Sequence, residues 1–139
     1  MSISSESERW FQQAEHDLAN ARSTFDIGVY DVSVFLCQQA VEKALKALMV
    51  RQTGSPPQRT HSIQQLAGAV GLGSKIPSES LVLDDYYVAS RYPDATIGLP
   101  YEMIGTNEAE EAIRVASDSM EMIRKELFGD GQETDADPG

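Results

Sequence analysis

The residues best suited to chemistry lie in the segment Arg91-Tyr92-Pro93-Asp94. A guanidinium group binds a phosphate through two parallel hydrogen bonds, and at a helix end it is accessible to a ligand. Tyr92 could stack on a base, and Asp94 could cap the loop or pair with Arg91. Two interpretations of Arg91 remain open: a phosphate clamp, or a structural salt bridge to Asp94 or Glu42 that fixes the loop begun by Pro93.

A second group of polar residues recurs at four-residue spacing earlier in the chain. Gln38, Glu42 and Lys46 share one face of a predicted helix, which its apolar positions leave free. These residues could line a cleft beside Arg91 and contribute to a nucleotide-binding or phosphate-binding site. The alternative is an exposed Glu42–Lys46 ion pair, which would contribute about 0.3 kcal/mol to helix stability.

The two histidines differ in their surroundings. His61 follows a run of basic residues and precedes a predicted helix start. His61 and Arg91 are the two candidates for catalysis, although a lone histidine more often fixes a loop by hydrogen bonding. His16 lies among polar residues and is expected on the surface. Tyr86 and Tyr87 could stack on a base, but beside a helix end such residues are more often packed, with one hydrogen bond.

Cys37 is the only cysteine, and it lies on an apolar stripe where a buried, inert thiol is expected. A single cysteine permits neither an intrachain disulfide nor a multi-thiolate metal site, which fits a reducing cytoplasm. The first residues are polar and lack the apolar run of a signal peptide, and no apolar stretch reaches membrane-spanning length. We therefore expect a soluble cytoplasmic protein that needs neither a metal nor a cofactor.

The net charge of the chain is −11, and it is unevenly distributed. Such a charge argues against a protein that coats nucleic acid by bulk attraction, because that mode requires many basic residues to neutralise phosphates. From Lys43 to Ser78, however, there are five basic residues and no acidic one, so this block carries +5 and the remainder −16. The block is compatible with a local anion site and equally with solvated side chains on separate surfaces.

Periodic apolar residues predict the helices that would position these groups. Apolar residues recur at three- and four-residue intervals over residues 11–25 and again over residues 34–48. Ser5 begins a capping box for the first helix, and Asp31 can cap the second. The link over residues 28–31 is short, which predicts an antiparallel hairpin.

The second half of the chain predicts shorter elements and one long helix. Ser62 begins a capping box for a short helix, and a further helix is predicted over residues 78–90. Residues 92–106 contain several Gly and Pro residues and predict an ordered loop. Asn107 is the predicted cap of the last helix, whose apolar face reaches Leu127.

Together these patterns predict one domain. A chain of 139 residues with 41% hydrophobic residues can enclose a core of its own. We predict an all-α, up-and-down antiparallel four-helix bundle with one extra short helix over residues 5–128. A disordered acidic tail is predicted over residues 129–139.

Three features taken together resemble the HEPN family in its small bacterial and archaeal form. The resemblance covers most of the chain, from about Trp10 to the alanine-rich last helix, and its features occur in the family's order. These features are the run Gln38-Gln39-Ala40-Val41-Glu42-Lys43-Ala44-Leu45-Lys46-Ala47-Leu48, then His61-Ser62-Ile63, and then Tyr86-Tyr87 followed by Arg91-Tyr92-Pro93-Asp94.

The resemblance implies an up-and-down helical bundle, association into dimers, nucleotide binding and frequent pairing with a minimal nucleotidyltransferase. Many HEPN proteins are also metal-independent ribonucleases that act as toxins, with an arginine followed, after four to six residues, by a histidine. After Arg91 the residues at these spacings are Thr96, Ile97 and Gly98, so that motif is incomplete. A threonine hydroxyl does not titrate near neutral pH and cannot replace histidine as a proton shuttle.

Three functions are compatible with these residues and with the family resemblance. The one we favour is a binding module that holds a nucleotide or RNA phosphate through Arg91, acts with a minimal nucleotidyltransferase and does not cleave RNA. The second is an active metal-independent ribonuclease toxin in which His61 replaces the missing histidine. The third is a purely structural helical interaction protein. All three predict a homodimer, because so small a bundle leaves apolar surface to cover.

Overall fold

The protein is described here by a computed structural model covering residues 3–92 and 98–129. Within these ranges the chain forms helices and connections, and no strand occurs. The predicted bundle is confirmed: α1, α2, α4 and α6 form it, and α3 is the extra short helix. Residues 130–139 of the predicted acidic tail lie outside the described residues. In chain order the elements are α1 (Ile3–Asp26), α2 (Tyr30–Thr53), α3 (Ile63–Ala69), a 3₁₀ helix (Ser78–Leu81), α4 (Val82–Ala89), α5 (Pro100–Met103) and α6 (Thr106–Phe128).

Helices α1 and α2 form the antiparallel hairpin that the short link predicts. Gly28 adopts a φ of 81° between them, a left-handed conformation that glycine reaches without a Cβ penalty. Two buried serines then join the helices at opposite ends. Ser7 Oγ donates to the Ala47 carbonyl at 2.8 Å, and Ser33 Oγ donates to the Ala21 carbonyl at 2.8 Å. These bonds fix the alignment of the hairpin.

Helix α2 is the centre of the core, because α1, α3, α4 and α6 all pack against it. The apolar positions predicted from periodicity are buried, apart from Phe25 of α1 and Ile113 of α6, which are partly buried. A helix surrounded in this way must bury more than one narrow stripe. The buried apolar stripe of α2 consists of Val34, Cys37, Val41, Ala44 and Leu48.

Two predicted helix starts are displaced in the structure. Helix α2 begins at Tyr30 with Val29 at the cap position, and no side chain forms a capping hydrogen bond there. Asp31 is therefore not the cap; it lies in the first turn, where its negative charge is still favourable for the helix dipole. Helix α1 begins at Ile3, so Ser5 lies within the helix instead of preceding it.

The other two predicted caps have different outcomes. Ser62 is confirmed as the cap of α3, because its Oγ accepts a hydrogen bond from the Gln65 backbone N–H at 3.1 Å. Asn107 is not the cap of α6, which has Gly105 at that position. The Gly105 N–H donates to the Glu108 carboxylate at 2.9 Å, so a side chain inside the helix satisfies the end.

The region before the last helix is more divided than predicted. The helix expected over residues 78–90 consists of the 3₁₀ helix followed by α4, and the segment expected as a loop over residues 92–106 contains the single turn α5. Residues 93–97 lie outside the described residues. Across the two described ranges, no helix has both the length and the apolar character needed to cross a bilayer.

Candidate functional site

Arg91 lies one helical turn beyond Tyr87, just after the end of α4. The helical bonding continues to this point, since the Tyr92 N–H donates to the Val88 carbonyl at 3.1 Å. The Arg91 guanidinium donates to the Tyr87 hydroxyl, and its carbon lies 4.8 Å from the centre of that ring. It also lies 5.3 Å from the Tyr92 ring centre and 5.6 Å from that of Phe35. Three aromatic rings therefore hold an exposed cation.

A salt bridge from Arg91 to Glu42 is not formed, so that part of the structural interpretation is wrong. The Glu42 carboxylate instead contacts His61 and Lys46. Pro93 and Asp94 lie outside the described residues, so a pair between Arg91 and Asp94 stays a prediction. A guanidinium has five N–H donors, and the bond to Tyr87 leaves it capacity for a bidentate contact with phosphate.

His61 joins the same cluster through Tyr87. The two rings are stacked, with their centres 5.0 Å apart and an angle of 20° between their planes. His61 Nδ1 lies 3.2 Å from Glu42 Oε1, and its side chain is 59% exposed while that of Glu42 is 4% exposed. A carboxylate at Nδ1 favours a proton on that nitrogen, so Nε2 is an acceptor in the neutral ring and a donor to an anion in the imidazolium ring. His61 and Arg91 thus both contact Tyr87.

The three α2 residues that were predicted to share a polar face are buried, and we call them the polar stripe: Gln38, Glu42 and Lys46. Their exposed fractions are 0%, 3% and 7% respectively. The predicted Glu42–Lys46 pair exists, with Lys46 Nζ 2.9 Å from Glu42 Oε2, but the prediction that it is exposed is wrong. Lys46 Nζ also lies 5.7 Å from the centre of the Trp10 ring. The stripe is therefore covered by other parts of the chain.

Each member of the polar stripe has partners that offset its burial. Glu42 accepts hydrogen bonds from Lys46 and from the Gln39 side chain at 3.2 Å, besides its contact with His61. Gln38 Nε2 donates to the His61 carbonyl at 2.6 Å, and Gln38 Oε1 accepts from Gln39 at 2.9 Å. A buried carboxylate or amide without such bonds would be strongly destabilising. The stripe thus holds the backbone and the ring of His61.

Asp84, which the sequence did not single out, fixes the chain on the other side of His61. Its carboxylate accepts hydrogen bonds from the backbone N–H groups of Ile63 at 2.9 Å and Gln64 at 3.2 Å. It also accepts from Ser62 Oγ at 3.4 Å and from Gln38 Nε2 at 3.3 Å. The spacing of the residues could have identified Asp84. It precedes Tyr87 by three residues and Arg91 by seven, and residues at these spacings lie on one face of a helix.

Phe35 was also missed, and no local pattern could have identified it. Its ring stacks on that of Tyr87, with the centres 5.9 Å apart and the planes at 25°. This contact joins the first half of α2 to α4, and only the tertiary packing brings them together. Phe35, Tyr87 and Tyr92 form what we call the aromatic cluster around Arg91.

The remaining candidate residues are separate from this site. Tyr86 is half-buried against the core, and burial together with the nearby Glu108 and Glu111 raises its pKa. Burial raises the pKa of the Cys37 thiol to about 12, so the expectation of a buried, inert thiol agrees with its surroundings. His16 is exposed and pairs with Asn20 on α1.

Among the described residues, no group of three or more histidine, cysteine, aspartate or glutamate side chains could hold a metal ion. A groove of about 290 Å³ lies between α1 and α6, and its lining includes Arg22 and Arg124. Arg22 donates to Ser117 Oγ at 2.6 Å, and Arg124 lies 3.6 Å from Glu15. Opposite charges therefore meet along the groove, which contains no residue of the Arg91–His61 site.

Comparisons with known proteins agree with this architecture. A family model described as HEPN domain matches residues 7–126. The chain is 29% identical to a Methanocaldococcus jannaschii protein named "Putative toxin MJ1304", over 86% of this chain and 89% of that protein. The crystal structure of TT1696 from Thermus thermophilus superposes with a TM-score of 0.76 at 31% identity, covering 86% and 96% of the two chains. The crystal structure of ST0689, an archaeal HEPN homologue, superposes with a TM-score of 0.71 at 34% identity, covering 87% of this chain and 97% of that chain.

Proposed function

Because the chain belongs to the HEPN domain family, we propose that it binds the phosphate of a nucleotide or of RNA at the Arg91–His61 site. The observation that carries the proposal is the exposed Arg91 guanidinium, which the aromatic cluster holds in place while His61 stacks on the Tyr87 ring of the same cluster. A preorganised guanidinium loses little freedom when it binds a phosphate, and Tyr92 is exposed enough to stack on a base.

The polar stripe has an indirect part in this proposal. Gln38 is fully buried, and Glu42 and Lys46 are nearly so, which leaves them little surface for a ligand. Gln38 and Glu42 hold His61 through its carbonyl and its Nδ1, and Lys46 pairs with Glu42. Arg91, Tyr92 and His61 are thus the groups that would touch the ligand, with Asp94 a further candidate from outside the described residues.

Partners enter the proposal through the family. We assign binding to the bundle over residues 5–128, acting as a homodimer and together with a minimal nucleotidyltransferase. Exposed apolar side chains support an association surface near the end of α4 and around α5. They are Val88, Tyr92, Leu99, Tyr101 and Met103.

Fluorescence anisotropy with a short fluorescein-labelled oligoadenylate tests the proposal at fixed salt. Arg91→Ala should weaken binding by about tenfold or more, because the charge-assisted contact is lost. Arg91→Lys should give an intermediate affinity, since an ammonium group keeps the charge without the bidentate geometry. Arg22→Ala is the matched control, with the same change of charge at an exposed arginine in the α1–α6 groove.

The result that contradicts the proposal is equal affinity for Arg91→Ala and Arg22→Ala. In that case the labelled RNA would respond only to net charge. Failure of the wild-type protein to bind either the RNA or competing adenosine monophosphate would also remove it. Circular dichroism on each variant establishes that a lost affinity reflects the site and not the fold.

The contact between Glu42 and His61 favours a second candidate, a metal-independent ribonuclease. With Nδ1 held by Glu42, Nε2 of His61 could take the proton of a ribose 2′-hydroxyl. The 2′-oxygen would then attack phosphorus, the 5′-oxygen would leave with a proton from solvent, and Arg91 would stabilise the charge on the phosphate. The name of the M. jannaschii relative adds support for a toxin.

Incubation of RNA with the protein in excess chelator separates the two candidates. The ribonuclease predicts fragments ending in a 2′,3′-cyclic phosphate, and His61→Ala should slow their release by about a hundredfold. Replacing each ribose by deoxyribose should abolish cleavage while leaving binding largely intact. Intact RNA under these conditions, together with Arg91-dependent binding, would leave the binding module as the function.

A further inference from the structure

A single carboxylate links the two halves of the Arg91–His61 site. Asp84 lies in the first turn of α4 and accepts hydrogen bonds from the chain over residues 62–64, immediately after His61. It also accepts from Gln38, which holds the His61 carbonyl. The backbone of His61 is therefore attached on one side to α2 and on the other to α4.

Helix α4 and the helical turn that continues it carry the two groups that share the site with His61. Tyr87 follows Asp84 by three residues and stacks on the His61 ring, and Arg91 follows by seven and is bonded to Tyr87. Residues at these spacings lie on one face of a helix, where their separation is fixed by its pitch. The position of His61 relative to Arg91 thus depends on where Asp84 holds the segment that follows it.

We propose that Asp84 is a positioning residue, which sets the distance between His61 and Arg91 and so allows both to bind one phosphate group. The inference rests on the proposed phosphate-binding function and adds a residue that no ligand touches. An aspartate suits this role because all four of its partners are donors, and a carboxylate offers only acceptors. An asparagine at this position has the same shape but turns one acceptor into a donor.

The first measurement needs no ligand. The chain contains only two histidines, so the ring signals of His61 and His16 can be resolved in proton–carbon NMR spectra of the full protein. Stacking on Tyr87 shifts the His61 signals upfield, whereas His16 on α1 serves as an internal reference. Asp84→Asn should reduce the upfield shift of His61 and leave His16 unchanged. Asp85→Asn is the matched control, because Asp85 is the exposed neighbour on the same helix.

The second measurement is a double-mutant cycle with the fluorescein-labelled oligoadenylate. Asp84→Asn should weaken binding by about fivefold in the wild-type background. In a His61→Ala background it should have almost no further effect, because the residue that it positions is gone. A general structural role would instead weaken binding equally in both backgrounds. If Asp84→Asn does not fold, Asp84→Glu keeps the charge and displaces the segment by one methylene group, and the same cycle applies.

Unchanged His61 signals in the folded Asp84 variant, or equal losses of affinity in the two backgrounds, would overturn the inference. These results leave the proposed function untouched as long as Arg91→Ala still weakens binding. A wild-type protein that binds no labelled RNA would remove the proposed function and with it the phosphate part of the inference. The NMR result would then decide only whether Asp84 holds the histidine.

Discussion

Two stripes of α2 are both buried, yet they are built from opposite chemistry. The apolar stripe packs into the core, where each large side chain contributes about 2 kcal/mol through its removal from water. The polar stripe buries a carboxylate, an ammonium group and an amide, whose burial is at best nearly neutral even when every bond is made. The burial of the apolar stripe is explained by its contribution to stability. The burial of the polar stripe is better explained by the histidine that it holds.

The largest effect should come from breaking the buried ion pair. Glu42→Leu leaves Lys46 buried without its partner, so the free energy of unfolding should fall by about 3–5 kcal/mol. Adding Lys46→Met replaces both charges with apolar groups of similar volume and should restore most of that loss. Urea denaturation of the wild type, the single variant and the double variant measures both steps.

The double variant also tests why the polar stripe exists. The double variant should fold well. It should nevertheless bind the labelled RNA more weakly than the wild type does, because His61 has lost the carboxylate at Nδ1. Wild-type affinity in the double variant would mean that the stripe has no part in the site. A double variant as unstable as Glu42→Leu would show that the ion pair itself stabilises the bundle.

A truncation among the apolar residues of α2 should have the converse signature. Leu45 is fully buried beside the apolar stripe, so Leu45→Ala should lower the free energy of unfolding by about 3 kcal/mol. Binding by the folded variant should match that of the wild type, because Leu45 belongs to the hydrophobic core and forms none of the hydrogen bonds that hold His61. A selective loss of affinity with little loss of stability would contradict the division between the two stripes.

The smallest effect concerns the thiol on the apolar stripe. Burial raises the pKa of Cys37 from its ordinary value of 9.0 to about 12. The native state therefore binds this proton more tightly than the unfolded chain, and stability is unaffected below pH 9 and falls as the pH rises from 9 towards 12. Between pH 8 and 10 the wild type should lose about 1.4 kcal/mol more than Cys37→Ala. If the free energy of unfolding depended on pH in the same way for the two proteins, the thiol would be accessible and not buried.

The sequence predicted the bundle well because the helices depend on local periodicity. The apolar residues of α1, α2 and α6 recur at helical intervals, and the short link between α1 and α2 favours an antiparallel hairpin. Helix caps were less predictable. Asp31 and Asn107 have suitable side chains, but the chain enters each helix a residue or more before them.

The candidate site was predicted in its parts and not in its arrangement. Arg91 and His61 were identified by type. The burial of the polar stripe was not, because the cover comes from Trp10 of α1, from α4 and from residues 61–64. The spacing of Gln38, Glu42 and Lys46 specifies only a shared face. Which face is covered depends on contacts between residues more than 20 positions apart, and periodicity within one helix carries no information about them.

The most direct test of the account is a map of where a phosphate ligand binds. Backbone amide NMR spectra of the full protein can be recorded during titration with adenosine monophosphate. We expect the largest shifts at Tyr87, Arg91 and Tyr92 and in the segment 61–64, with saturation that Arg91→Ala weakens by about tenfold. Shifts confined to the α1–α6 groove around Arg22 and Arg124, or none at any concentration, would contradict the claim that the Arg91–His61 site binds phosphate.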